Sequence, residues 1–147
     1  MGRGITKATL VSGTLDILFA IILTLFYGKD PMAMLRYVAS GPVPPATDWG
    51  TAGSLLGLVT HFALMAIMAI VYFAAARRSP RLNDHPVRSG ILYGLATYVV
   101  MNLVVVPLRF GTPLPPKPIS IATQLFAHIV LVGIPMALIA ARSLRRR

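Results

Sequence analysis

The sequence predicts an all-α polytopic membrane protein: a four-transmembrane-helix bundle with a short interfacial helix after the first span. Two features of its composition point to this fold class. The mean hydropathy is +0.73, and only 12% of the residues are charged, whereas soluble domains carry about 25%. A third observation is four apolar runs, each near the length of about 20 residues that a helix needs to cross a bilayer. With 147 residues, the chain is expected to form one domain over 1–147.

The four spans are predicted near residues 6–27, 52–76, 87–108 and 119–141. Between the first two, Asp30 is a candidate helix N-cap, Pro31 suits the first helical position, and Gly41-Pro42 ends the helix. This segment predicts a short amphipathic helix on the outer membrane surface. The loop RFGTPLPPKP, before the fourth span, is rich in proline and predicts an extended connector.

The distribution of lysine and arginine predicts the orientation, because cytoplasmic loops carry the excess of these residues. Ten flank the two chain ends and the second loop, and four lie in the other loops. Both termini are therefore expected in the cytoplasm. The ten are Arg3, Lys7, Arg77, Arg78, Arg81, Arg88, Arg142, Arg145, Arg146 and Arg147; the four are Lys29, Arg36, Arg109 and Lys117. The basic tail predicts contact with anionic lipid headgroups and not nucleic-acid binding, which needs a larger basic surface.

A carboxylate inside the first span, Asp16, needs a polar partner, because ionisable side chains are costly in hydrocarbon and usually face a bundle interior. Counted inward at the helical rise, polar side chains from all four spans reach a layer about 9–16 Å below the outer surface. The predicted polar cluster or proton relay is Asp16, His61, Tyr98, Asn102, Gln124 and His128. The expected partner of Asp16 is His61 or His128.

Small residues recur at helical spacing and predict close packing between helices. Gly53 and Gly57 form one GxxxG pair, and Gly90 and Gly94 form another. Gly13 lies on the same face of the first span as Asp16. Pro135 is expected to kink the fourth span.

The sequence is compatible with several functions. No phosphate-binding loop, GxSxG or HExxH motif occurs, and the absence of cysteine excludes thiolate chemistry. The leading hypothesis is a non-enzymatic accessory subunit of a larger membrane complex, or a small binding protein. One alternative is a proton-linked carrier or channel that uses Asp16 with His61 or His128. Another is a b-type haem protein in which His61 and His128 ligate the iron, while a metal-ion site is less favoured. Expected partners are membrane lipids, other membrane subunits or further copies of the chain.

The strings GTLDILFAIIL, THFALMAI, YGLATYVVMNLVVVPL and HIVLVGIPMAL resemble small uncharacterised bacterial inner-membrane proteins of the YagU-like families, whose domain has no known function. The resemblance covers about residues 10–141. It implies four spans in a bacterial inner membrane and transfers no activity. It also singles out Asp16, His61, Asn102, Pro107 and His128.

Overall fold

The computed structural model describes residues 1–145 and confirms the predicted fold class, with no strand in that part of the chain. Four of its helices are long and apolar enough to cross a membrane, as expected of a multi-pass membrane protein. A 3₁₀ segment, Pro44–Asp48, precedes the third helix. The helices are α1 Gly2–Phe26, α2 Pro31–Ala39, α3 Gly50–Arg78, α4 Arg81–Asp84, α5 Pro86–Phe110 and α6 Pro118–Arg145.

The spanning helices are longer than the apolar runs predicted. Helix α1 begins at Gly2 instead of residue 6, and α6 continues to Arg145 instead of residue 141. Hydropathy marks only the part of a helix suited to lipid, whereas backbone hydrogen bonding continues into flanking polar residues such as Arg3 and Arg142. Arg146 and Arg147 of the predicted basic tail lie outside the described residues.

The bundle places α1 between α3 and α6, and α5 against α6. One end carries α2 and is called here the α2 end; the opposite end carries α4. The apolar core lies toward the α4 end, where Tyr72 and Phe73 of α3 meet Val132 and Met136 of α6. Dense packing is therefore concentrated in one half of the bundle, and the half nearer the α2 end holds the open space described below.

Helix α2 forms where its capping residues predict it. The Asp30 carboxylate accepts hydrogen bonds from the backbone N–H groups of Met32 (2.9 Å) and Ala33 (3.1 Å), and Pro31 begins the helix. Capping of this kind satisfies N–H groups that lack partners within the helix. Leu35 of α2 is buried against α3, so the short helix forms part of the bundle wall.

Close backbone contacts explain two of the glycines. A Cβ at Gly57 would collide with the backbone carbonyl of Leu35, and one at Gly94 would collide with the backbone carbonyl of His128. In the first GxxxG pair, Gly57 therefore seats α2, while Gly53 lies against the backbone of Ala46 in the 3₁₀ segment. The second pair seats α5 on α6, where Gly133 faces it across the contact.

Two π-helical segments interrupt the spanning helices. They are Val99–Val105 in α5 and Ala127–Gly133 in α6, and each ends two residues before a proline, Pro107 or Pro135. Proline lacks an N–H group and its ring crowds the carbonyl one turn earlier, so the wider π turn relieves that crowding. The sequence predicted a kink at Pro135 and did not predict the π segments. They carry Asn102 and His128 of the predicted polar cluster.

Candidate functional site

A cavity of about 700 Å³ lies in the α2 half of the bundle. Its walls are mostly apolar and include Met65 and Met68 of α3 and Met101 of α5. Every spanning helix also contributes a polar side chain to it. These are Asp16 from α1, His61 from α3, Asn102 from α5, and Gln124 and His128 from α6. Five of the six residues of the predicted polar cluster therefore line one space.

Asp16 and His61 form one pair at the wall of the cavity. His61 is buried, and its Nε2 lies 2.8 Å from the backbone oxygen of Gly13. Because a carbonyl oxygen can only accept, Nε2 carries a proton. The other ring nitrogen, Nδ1, lies 3.9 Å from Oδ2 of Asp16, whose side chain is 21% exposed. The glycine one turn before Asp16 thus fixes the ring so that its second nitrogen faces the carboxylate.

His128 belongs to a separate chain of hydrogen bonds. The Thr97 hydroxyl donates to the Gly94 carbonyl oxygen (3.0 Å), so its oxygen accepts from Nδ1–H of His128 at 3.1 Å. The Asn102 amide Nδ2 then donates to Nε2 of the same ring at 3.2 Å. Every polar atom of the ring has a partner when the imidazole is neutral and protonated at Nδ1. The two histidines therefore hold opposite tautomers.

The two remaining predicted residues differ in their placement. Gln124 lines the cavity, so its amide is available to an occupant. Tyr98 is buried, with its ring 6.1 Å from the His128 ring in an edge-on arrangement. Tyr98 therefore packs against the His128 ring and does not line the cavity.

The cavity extends to the side of the bundle between α3 and α5. Val59 and Ile67 of α3 line it while remaining 64% and 58% exposed, which places them at a lateral opening. Toward the α4 end, the Tyr93 hydroxyl of α5 donates to the Met68 carbonyl oxygen of α3 at 2.7 Å and closes the gap. In a bilayer, an opening at this position faces hydrocarbon.

The α2 end of the cavity is closed by contacts between α5 and the segment that ends α2. Arg109 donates from Nε to the Gly41 carbonyl oxygen and from Nη2 to the Ser40 carbonyl oxygen, both at 2.7 Å. The Tyr37 and Phe110 rings stack with centroids 4.3 Å apart. Burial raises the pKa of the Tyr37 phenol above its usual value, more than the Arg109 charge lowers it, so the phenol keeps its proton at neutral pH.

The geometry bears on the cofactors considered from the sequence. A haem iron bound between His61 and His128 would need a free ring nitrogen on each. The Nε2–H of His61 is donated to Gly13, which leaves its Nδ1 facing Asp16 at 3.9 Å, but both nitrogens of His128 are bonded. These contacts do not favour ligation of a haem. Among residues 1–145, no group of three or more histidine or acidic side chains is placed to hold a metal ion.

Sequence reasoning missed three residues that build the site. Thr97 lies three residues after Gly94, on the same helical face, and that spacing was the signal available. Gly133 is a small residue inside a span, opposite the Gly90 and Gly94 pair. The distribution of charge predicts only a topology role for Arg109, although its fork of donors fits two adjacent carbonyl groups.

Comparison with protein-family models, curated proteins and solved structures found no match for this chain. The assignment of a function therefore depends on the cavity and its side chains alone.

Proposed function

We propose that this protein binds a small, largely apolar molecule that carries a polar group, within the membrane. The observation that supports this most directly is the cavity of about 700 Å³ with apolar walls and a polar side chain from each spanning helix. Pockets for small molecules have volumes of about 300–1,000 Å³ and combine apolar walls with a few convergent polar groups. Of the two roles in the leading hypothesis, accessory subunit and small binding protein, we propose the binding protein.

The depth of the polar groups narrows the class of occupant. Asp16 lies ten residues before the end of α1 and His61 eleven residues after the start of α3, or about 15 Å from the α2 end at the helical rise. A phospholipid keeps its headgroup at the interface and would present acyl chain at this depth. An occupant that satisfies Asp16 and Asn102 has its polar group among hydrocarbon, as a membrane-dissolved molecule does.

The route of entry follows from the opening between α3 and α5. A molecule dissolved in the bilayer reaches the cavity past Val59 and Ile67 without crossing the aqueous phase. The α2 end is closed by the Arg109 hydrogen bonds, which favours lateral entry over entry from water.

The location and partners that we propose follow the sequence-based expectations. The excess of lysine and arginine around α4 and the two chain ends favours a cytoplasmic location for that end. The YagU-like resemblance favours a bacterial inner membrane. Membrane lipids surround the spans, and further subunits or copies of the chain remain proposed partners.

Native mass spectrometry of the protein purified from its host in mild detergent tests the proposal. We expect a retained small-molecule adduct on wild type. Ala63 lines the cavity at its exposed side, so Ala63→Phe fills the space and should remove the adduct. Ala96→Phe, on an exposed position of α5 away from the cavity, is the matched control and should retain it. Absence of an adduct on wild type, or equal retention by Ala63→Phe, contradicts the proposal. Stoichiometric protein partners in an adduct-free sample would instead assign the accessory-subunit role.

A further inference from the structure

We propose that the cavity exchanges one proton for one lipophilic organic cation at Asp16, with His61 as the partner that shares the proton. The inference rests on the proposed function, because it names the class of molecule that the same cavity takes. It also names the solute and the number of protons for the proton-linked carrier that the sequence left as an alternative.

The tautomer of His61 sets the number of protons. Since Nε2–H is donated to the Gly13 carbonyl oxygen, the only position on the ring that can gain or lose a proton is Nδ1, which faces Asp16 at 3.9 Å. One proton shared by the carboxyl group and Nδ1 leaves the pair neutral. Loss of that proton leaves one negative charge on Asp16. The pair therefore changes its charge by one when a single proton leaves.

The other charged or titratable groups around the cavity do not supply a second negative charge. Within the described residues they are His128 from α6, Arg109 from α5 and Tyr37 from α2. His128 is held neutral by its two hydrogen bonds, and the Tyr37 phenol keeps its proton. The Arg109 guanidinium is directed to the carbonyl groups at the end of α2, at the closed end of the cavity.

Charge balance then selects the occupant. An unpaired carboxylate among apolar walls is unfavourable, so the deprotonated pair favours a positively charged ligand beside Asp16. The remainder of that ligand must be apolar to fit the cavity and to enter from the bilayer. Met65, Met68 and Met101 supply flexible thioether side chains, which adapt to ligands of different shapes. A quaternary or protonated amine, or a phosphonium ion, with apolar substituents carries the required positive charge, fits the apolar walls and can enter from the bilayer.

Binding of tetraphenylphosphonium to protein in nanodiscs of zwitterionic phosphatidylcholine tests the inference. In weak buffer with a pH indicator, we expect about one proton released per cation bound under conditions where the pair starts protonated. The apparent Kd should then rise about tenfold for each unit by which the pH falls. The proton count is made on wild-type protein, so it does not depend on how any variant folds. Binding without proton release at every pH overturns the inference.

Substitution then assigns the charge to its residue. Asp16→Asn should weaken tetraphenylphosphonium binding at least about tenfold and make it independent of pH. Asp48→Asn, at an exposed carboxylate in the 3₁₀ segment, is the matched control and should leave binding unchanged. Equal binding by Asp16→Asn and wild type contradicts the assignment.

Failure of this inference is separable from failure of the proposed function. If wild type retains a neutral adduct that Ala63→Phe loses, yet does not bind tetraphenylphosphonium, the cation exchange is wrong and the binding function stands. If neither the adduct nor the cation is bound, both proposals fall.

Discussion

Substitution of Gly94 by alanine should separate α5 from α6 and break the hydrogen bonds that hold His128. A Cβ at this position would lie 2.6 Å from Cα of Ile129, and ordinary contact begins near 3.4 Å. The obstructing atoms are backbone, so the helices must part by about 0.8 Å there. The bonds from His128 to Thr97 (3.1 Å) and Asn102 (3.2 Å) would then lengthen beyond hydrogen-bonding distance.

The cost combines two effects. Overpacking in a well-packed contact costs about 1–3 kcal/mol, and each interhelical hydrogen bond in a membrane contributes about 0.6 kcal/mol. Alanine recovers about 0.5–1 kcal/mol through its better helix propensity. We therefore expect Gly94→Ala to lower the free energy of unfolding by about 1–4 kcal/mol.

Reversible unfolding in mixed micelles with increasing dodecyl sulfate, followed by far-UV circular dichroism, measures this change. The matched control is Gly2→Ala, because a Cβ at Gly2 meets no atom within 4 Å. That control should leave the free energy of unfolding equal to that of wild type or slightly higher. A Gly94→Ala protein within about 0.5 kcal/mol of wild type would refute the argument that backbone contact at this crossing requires glycine.

Two further substitutions test the boundaries of the cavity. Arg109→Lys should release the end of α2, because an ammonium group cannot reproduce the planar fork that reaches the Ser40 and Gly41 carbonyl oxygens. Hydrogen exchange at the α2 amides should therefore accelerate to the rate seen in Arg109→Ala. An exchange rate in Arg109→Lys equal to that of wild type would contradict this. Tyr93→Phe removes the hydrogen bond to Met68 and should lower the free energy of unfolding by only about 0.6 kcal/mol in the same assay, as is typical for hydrogen bonds between membrane helices. A decrease above about 2 kcal/mol would contradict the view that this contact contributes only as one interhelical hydrogen bond.

The fold was predictable because it depends on local features of the chain. The length and apolar character of the four runs decide that they span, and the carboxylate of Asp30 with Pro31 decides where α2 begins. What hydropathy does not fix is where a helix stops once it leaves the apolar region, as the extension to Gly2 and Arg145 shows. Elements set by a few neighbouring residues were therefore found, with errors at their ends.

The site was only partly predictable because it depends on which faces meet. Helical periodicity placed Asp16 and His61 on polar faces, but it does not set the rotation of one helix against another. Thus the spacing of Gly53 and Gly57 predicted a close backbone contact without saying which helix makes it, and the helix that Gly57 seats is α2. The partner of His128 turned out to include Thr97, which depends on the π segments that shift the register of α5 and α6. The proline that follows each segment is a local signal for a disturbed helix, but the contacts that result depend on how α5 packs against α6, which the sequence pattern does not give.

The opposite tautomers of the two histidines give a prediction that separates the hydrogen-bond geometry from overall stability. The chain has three histidines, so selective ¹⁵N labelling of histidine yields three pairs of ring-nitrogen resonances. At a pH where the rings are neutral, His128 should show a protonated Nδ1, because the Thr97 oxygen accepts from it. His61 should show a protonated Nε2, because the Gly13 carbonyl can only accept.

Substitution assigns these resonances and tests their cause. Thr97→Val removes the acceptor for His128 and should shift that ring toward the Nε2–H tautomer, while Thr97→Ser keeps the hydroxyl and should leave the wild-type pattern. His61 should be unaffected by either change, since its partners lie on α1. If His128 is protonated at Nε2 in wild type, the Asn102 amide must present its oxygen to the ring. The argument that His128 is held neutral in the same cavity as Asp16 would then be wrong, because an oxygen acceptor also tolerates the charged imidazolium.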